Sequence, residues 1–256
     1  MSIIEFKNVD IIRNDLKILD NISFSINENT AIIGENGSGK STILSAIYRD
    51  IYPIKKEDSY IEVMGEKSWN IFELRNKVGV IVSDIYAFRT FNINVMDFIL
   101  SGYFNQVSVF SYNKITNKMK KRMLEVCSFL SIEYLLKREI CNLSTGEFKR
   151  CQIARVMVHD PDNYIFDEPT SGLDIGSKRR FMKLMKNIIS DNKKVFLVTH
   201  HISEILPSIK RVIGIKQGKI LFDGERDIVI NDENISKLFD TSLKIGKTFD
   251  DSMYII

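Results

Sequence analysis

The stretch Gly34-Glu35-Asn36-Gly37-Ser38-Gly39-Lys40-Ser41-Thr42 fits the pattern G-x-x-x-x-G-K-[ST]. A loop of this kind wraps phosphates with its backbone N–H groups. Its Lys reaches the β/γ-phosphates, and the hydroxyl that follows ligates Mg²⁺. The pattern is informative between a strand and a helix, and the flanks supply both. Ala31-Ile32-Ile33 is a short apolar run entering the loop, and residues 41–48 read as the helix leaving it. That helix aims its positive N-terminal end at an anion. The stretch predicts a nucleoside-triphosphate site.

Residues 3–9 and 18–26 read as strands ahead of the loop, the second alternating Ile22, Phe24 and Ile26. After the loop's helix come a break at Pro53, a strand over 60–64, a turn near Gly65, a helical turn over 73–76 and a buried strand over 78–82. From residue 85 to about 141 the character changes. Aromatics crowd Tyr86, Phe88, Phe91, Phe98, Tyr103, Phe104 and Phe110, and a helical period places Met119, Met123, Val126, Phe129 and Leu130 on one face. This segment reads as a mostly helical insertion whose aromatics pack a core. A helix over 148–158 stops at Asp160-Pro161. Strands and helices then alternate: strand 164–166, helix 178–189, strand Lys194–Thr199, helix 202–209, strand 212–216 and, past Gly218, strand 219–222. Such alternation argues a parallel α/β sheet.

Composition sets bounds. With 256 residues, 44% apolar and 27% charged, the chain has the make-up of a soluble globular protein, and no apolar run approaches the roughly 18 residues of a membrane span. Any membrane part must come from another chain. A net charge of +3 gives no case for nucleic acid, and the basic runs Lys118–Arg122 and Lys178–Arg180 read as solvated helix faces. Cys127, Cys141 and Cys151 have no C-x-x-C spacing, so a zinc site and a disulfide framework are not suggested; reduced thiols in the cytosol fit best. The N-terminus has no signal-peptide pattern.

Two strand ends carry the remaining chemistry. Tyr164-Ile165-Phe166-Asp167-Glu168 is a buried strand ending in two carboxylates. Beside a phosphate loop, the Asp can hold Mg²⁺ and the Glu can orient or deprotonate an attacking water. Val195-Phe196-Leu197-Val198-Thr199-His200 is a second strand, ending in an imidazole that could contact a γ-phosphate or serve only a structural role.

Together these motifs resemble the ATP-binding subunit of the ABC transporter family over nearly the whole chain. The family's signature stands here as Leu143-Ser144-Thr145-Gly146-Glu147, its D-loop as Pro169-Thr170-Ser171-Gly172-Leu173-Asp174, and its switch histidine as His200. The resemblance implies a P-loop NTPase fold: a RecA-like parallel sheet core with an antiparallel β subdomain, over 1–84 and 155–230. A helical signature subdomain is inserted over about 85–154, and a short C-terminal segment covers 231–256. It implies an ATPase using ATP and Mg²⁺, with Lys40 and the loop amides on the phosphates, Ser41 and Asp167 on Mg²⁺, Glu168 on the water and His200 on the γ-phosphate. It also implies a second such subunit, most simply another copy of the chain. ATP bound by one phosphate loop would then be completed by Ser144, Gly146 and the neighbouring Glu147 and Asp174 of the other. A separate permease and a cytoplasmic, membrane-peripheral location follow.

The sequence departs from the family pattern at Val82-Ser83-Asp84, where a Gln usually stands, at Glu147, where Gln is usual, and at Ile12-Arg13, where an adenine-stacking aromatic is common. Arg13 could stack through its guanidinium plane. The departures, with Ser101-Gly102-Tyr103-Phe104 and the run from Val198 to Ile205, are similar to a branch of bacterial ABC ATPases of molybdate- or iron-complex type. The missing Gln also suits an alternative, a soluble ABC ATPase without transport that partners an iron–sulfur assembly scaffold.

Overall fold

A computed structural model describes residues 2–81 and 91–256 of the chain. Two long strands, β1 (Ile4–Arg13) and β2 (Leu16–Ile26), pair antiparallel. Strand β3 (Thr30–Ile33) runs into the phosphate loop and helix α1 (Lys40–Ile47) leaves it. Strand β4 (Tyr60–Val63) returns to β1, giving a three-stranded antiparallel sheet in the order β2-β1-β4. Helix α2 (Ile71–Lys77) is capped by the Asn70 side chain and leads into β5 (Val78–Ile81).

Helix α3 (Val95–Leu100) and a 3₁₀ turn (Ser101–Phe104) follow, then α4 (Asn117–Phe129) and α5 (Thr145–Met157). Next come β6 (Asn163–Asp167), α6 (Ile175–Ser190), β7 (Lys194–Thr199), β8 (Arg211–Lys216) and β9 (Lys219–Glu225). The chain closes with α7 (Arg226–Val229), α8 (Asp232–Leu238) and a small hairpin, β10 (Ile245–Lys247) with β11 (Met253–Ile255). The central sheet has the order β5-β6-β7-β3-β8-β9; β5 through β8 are parallel and β9 is antiparallel at the edge.

The central strands are apolar on both faces because both faces are covered. Along β7, Val195 and Leu197 face a core shared with the helices, whereas Phe196 and Val198 face a second core shared with α1 and the antiparallel sheet. The period of two thus places one strand in two cores at once. The helical segment is built around Phe98 and Phe148, both fully buried with ring centroids 5.6 Å apart.

Several expectations need correction. The helix expected over 202–209 is a single 3₁₀ turn, Ile202–Glu204. Pro207 disfavours helical backbone at Leu206 and leaves no room for further turns, although Ile205 and Ile209 are still buried. On α4 the buried face carries Met123, Val126 and Cys127, whereas Phe129 is 44% exposed. Phe91 and Phe110 are also exposed, so the aromatics of this segment do not all pack inward. Tyr86, Phe88 and the Val82-Ser83-Asp84 position lie outside the described residues. The strand expected over 60–64 ends at Val63, since Met64 turns into positive φ.

Candidate functional site

Three adjacent strands of the central sheet deliver the site. The loop follows β3, the acidic pair ends β6 and His200 follows β7. In the sheet Ile33 lies beside Thr199, and Asp167 lies beside Val198. Parallel pairing therefore brings all three strand ends to one edge, where open α/β sheets bind their ligands.

The loop itself is braced from below. Its Gly39 has φ +108°, in the left-handed region that favours glycine, and a Cβ there would lie 2.7 Å from Leu19 Cδ2. Gly218 N–H donates to the Ser38 carbonyl at 2.9 Å, and Asp20 N–H donates to the Gly218 carbonyl at 2.9 Å. Both neighbouring sheets thus hold the loop. Gly34, Ser38, Gly39 and Lys40 are buried, Thr42 is half-buried, and Glu35, Asn36, Gly37 and Ser41 are exposed.

Lys40 Nζ donates to the carbonyls of Gly34 at 2.8 Å and Glu35 at 2.7 Å. Burial lowers its pKa, while the carboxylates of Glu168, Asp167 and Glu35 oppose the shift. The loop cation and the acidic pair therefore share one electrostatic site. Helix α1 begins without a side-chain cap and without an acidic residue in its first turn, so its free N–H groups are not spoken for by the chain's own side chains.

Asp167 has its carboxyl pushed up to about 6 by burial and by the charge of Glu168, against Lys149 and Lys40. Its Oδ1 is buried and has no hydrogen-bond partner among the described residues. A buried, partnerless carboxylate oxygen is costly unless a donor or a cation meets it. With the exposed hydroxyl of Ser41 at the helix start, it offers the hard oxygen ligands that Mg²⁺ takes, so the residues present fit that ion.

Glu168 is held at φ +42°, unusual for a residue with a side chain, by its N–H bond of 2.8 Å to the Val198 carbonyl. Its Oε1 pairs with His200 Nδ1 at 3.0 Å, and the two side chains are 23% and 28% exposed. A carboxylate and an imidazole in contact, both reachable from solvent, can share and move a proton.

A second cluster lies at the starts of α5 and α6. Ser144 and Glu147 form a reciprocal capping box: Ser144 Oγ accepts from Glu147 N–H at 3.3 Å, and Glu147 Oε2 accepts from Ser144 N–H at 2.8 Å. Burial, the largest influence on Glu147, is outweighed by the Ser144 bonds and Arg138, which leave its pKa lowered. Asp174 caps α6 by accepting from Ser177 N–H at 2.9 Å and Ser177 Oγ at 2.6 Å. A Cβ on Gly146 would lie 2.6 Å from Ser177 Oγ, so a side chain there would push Ser177 aside where the two helix starts meet. None of the hydrogen bonds of Ser144, Glu147 or Asp174 among the described residues reaches the phosphate loop. Arg13 stands apart from both clusters, exposed at the end of β1 where it pairs with Leu16.

Sequence reasoning missed Lys149. It lies in Phe148-Lys149-Arg150, is 2% exposed, and burial lowers its pKa to about 8 against the pull of Asp167. No motif signals a buried Lys on a helix.

A phosphate loop, a strand-end Asp-Glu pair and a histidine on the next strand define a P-loop nucleoside triphosphatase. The family model described as ABC transporter matches residues 19–171, more than half of the chain, and the protein belongs to that family: it is an ABC ATP-binding subunit and a P-loop ATPase. Among its relatives, the "Uncharacterized ABC transporter ATP-binding protein YmeB" of Lactococcus lactis is 27% identical and covers 100% of this chain and 99% of its own. The "Probable metal transport system ATP-binding protein" of Thermotoga maritima is 29% identical over 93% of this chain and 91% of its own. A solved ATP-binding cassette of an ABC transporter, MJ1267 in its ADP conformation, superimposes with a TM-score of 0.81 at 20% identity, covering 94% of this chain and 99% of that one. No helix among the described residues is long and apolar enough to cross a membrane.

Proposed function

We propose that this chain pairs head to tail with a second copy around two Mg·ATP and drives a separate membrane permease, on the cytoplasmic face, that carries a metal or metal complex. The observation that carries the reading is the separation of the two clusters. The phosphate loop, Asp167, Glu168 and His200 occupy one sheet edge, while Ser144, Gly146, Glu147 and Asp174 form a second group with no hydrogen bond to the first among the described residues. One copy of each cluster per chain suits a site completed by a partner. The relative named for metal transport supports the cargo class.

Within that site, Lys40 exchanges its bonds to the Gly34 and Glu35 carbonyls for phosphate oxygens. Asp167 and Ser41 hold Mg²⁺, which neutralises charge on the phosphates when bound. Glu168 accepts a proton from the attacking water, and His200, already paired with Glu168, steadies the carboxylate and donates toward the γ-phosphate. Arg13 offers a flat cation for the adenine. The closing contacts come from the partner's Ser144 N-cap and the first turn of its α5, at the positive end of that helix.

Glu168→Gln keeps the shape and removes the base. It should slow ATP turnover by at least about a hundredfold and accumulate an ATP-bound dimer in size-exclusion chromatography with light scattering. Wild-type turnover in this variant sinks the assignment. The rival, a soluble ABC ATPase serving an iron–sulfur scaffold, is favoured by Val82-Ser83-Asp84 in place of Gln. Copurification separates them: a polytopic membrane protein supports the first reading and a soluble scaffold the second.

A further inference from the structure

Glu204 is the most thoroughly buried carboxylate among the described residues near the hydrolytic edge, at 1% exposed, and no part of the reading above uses it. It closes the 3₁₀ turn that follows β7. Both of its oxygens are occupied. Oε2 accepts from Thr199 Oγ1 at 2.6 Å; Oε1 accepts from Thr170 Oγ1 and pairs with Lys178 Nζ at 3.1 Å. Thr199 Oγ1 in turn accepts from His201 N–H at 2.9 Å, so its own proton is directed at Glu204.

The partners come from three segments. Thr199 immediately precedes His200, Thr170 stands two residues after Glu168, and Lys178 lies in the first turn of α6, whose cap is Asp174. We infer that Glu204 is a positioning residue for hydrolysis: its carboxylate ties the loop carrying Glu168 to the loop carrying His200, and fixes both against the start of α6. The inference rests on the roles proposed above for Glu168 and His200.

Two physical arguments support it. A buried carboxylate is expensive to desolvate, and well-packed apolar residues stabilise a core at least as well, so bulk stability alone gives no reason for an anion here. An anion accepting from two hydroxyls does fix the relative position of the segments that bear them. The Glu168–His200 contact of 3.0 Å joins those same two segments, and a displacement of about 1 Å in a reacting group can cost about a hundredfold in rate.

The test compares Thr170→Val, Thr170→Ser, Thr199→Val, Glu204→Gln and Glu168→Gln in the full chain, with steady-state ATP hydrolysis and equilibrium binding of a fluorescent ATP analogue. The Val variants and Glu204→Gln should lose about ten- to a hundredfold in kcat, while ATP affinity stays within about threefold. Thr170→Ser, which restores the hydroxyl, should recover most of the lost rate. The inference is overturned if Thr170→Val turns over within about twofold of wild type, if the Ser variant falls as far as the Val variant, or if affinity falls in step with kcat. Should Glu204→Gln fail to fold, the Thr170 pair decides alone. Normal turnover in Glu168→Gln overturns the site reading and this inference together. An inactive Glu168→Gln beside a normal Thr170→Val overturns this inference only.

Discussion

Lys40 illustrates how a single side chain is prepared for its ligand. Its ammonium is buried, spends its hydrogen bonds on two loop carbonyls, and sits within the field of three carboxylates. A nucleotide must therefore bring enough negative charge to replace those carbonyls. Lys40→Ala should weaken ATP binding by about a hundredfold or more in a fluorescence titration; retained affinity would mean that the loop does not hold the phosphates. Asp167 makes the complementary case, since its partnerless oxygen asks for a cation. Chelating Mg²⁺ should stop hydrolysis in the wild-type protein, and Asp167→Asn should no longer respond to added Mg²⁺ in the same assay.

Elements depend on contacts that are individually small. Ser144→Ala removes the capping box of α5 and should lower stability by about 1 kcal/mol, read from a denaturant midpoint. In the antiparallel sheet, Asp10 is buried, which opposes its ionisation, yet bonds from Lys56, the Asn21 N–H and Lys17 bring its pKa down to about 2. A carboxylate with a depressed folded-state pKa contributes stability above its unfolded value of 3.8, and that contribution is lost as pH falls toward 2. Asp10→Asn should therefore cost about 1–2 kcal/mol at pH 7, with the gap closing between about pH 4 and pH 2 in urea unfolding series. Legibility in the sequence follows the same scale. Strand β7 was readable to both ends because a continuous apolar run between polar residues can hardly be anything else in an α/β chain. The run after His200 misled, because its apolar spacing suits a helix while Pro207 allows only one turn. The loop, the acidic pair and His200 were legible because their chemistry is local. Glu204 with Thr170 was not, since their contact joins side chains 34 positions apart in the chain, which no local pattern links.

At the scale of the whole molecule, the two clusters predict division of labour. Gly146→Ala forces a Cβ against Ser177 Oγ, at the junction of the two helix starts. It should leave ATP binding by the isolated chain within about twofold and reduce the ATP-dependent dimer of the Glu168→Gln background, measured by light scattering. Loss of monomer binding would place the signature cluster in the first site instead of the second. The brace beneath the phosphate loop has a consequence for how such a molecule works. Ser38 is tied to the β8–β9 turn through Gly218, and Gly39 rests on Leu19 of β2, so both sheets brace the cradle. A fixed cradle makes the nucleotide a stationary reference point. On the proposed reading, exchange of ATP for ADP would then act on whatever meets the phosphates from outside, with the loop as the anvil against which that work is done.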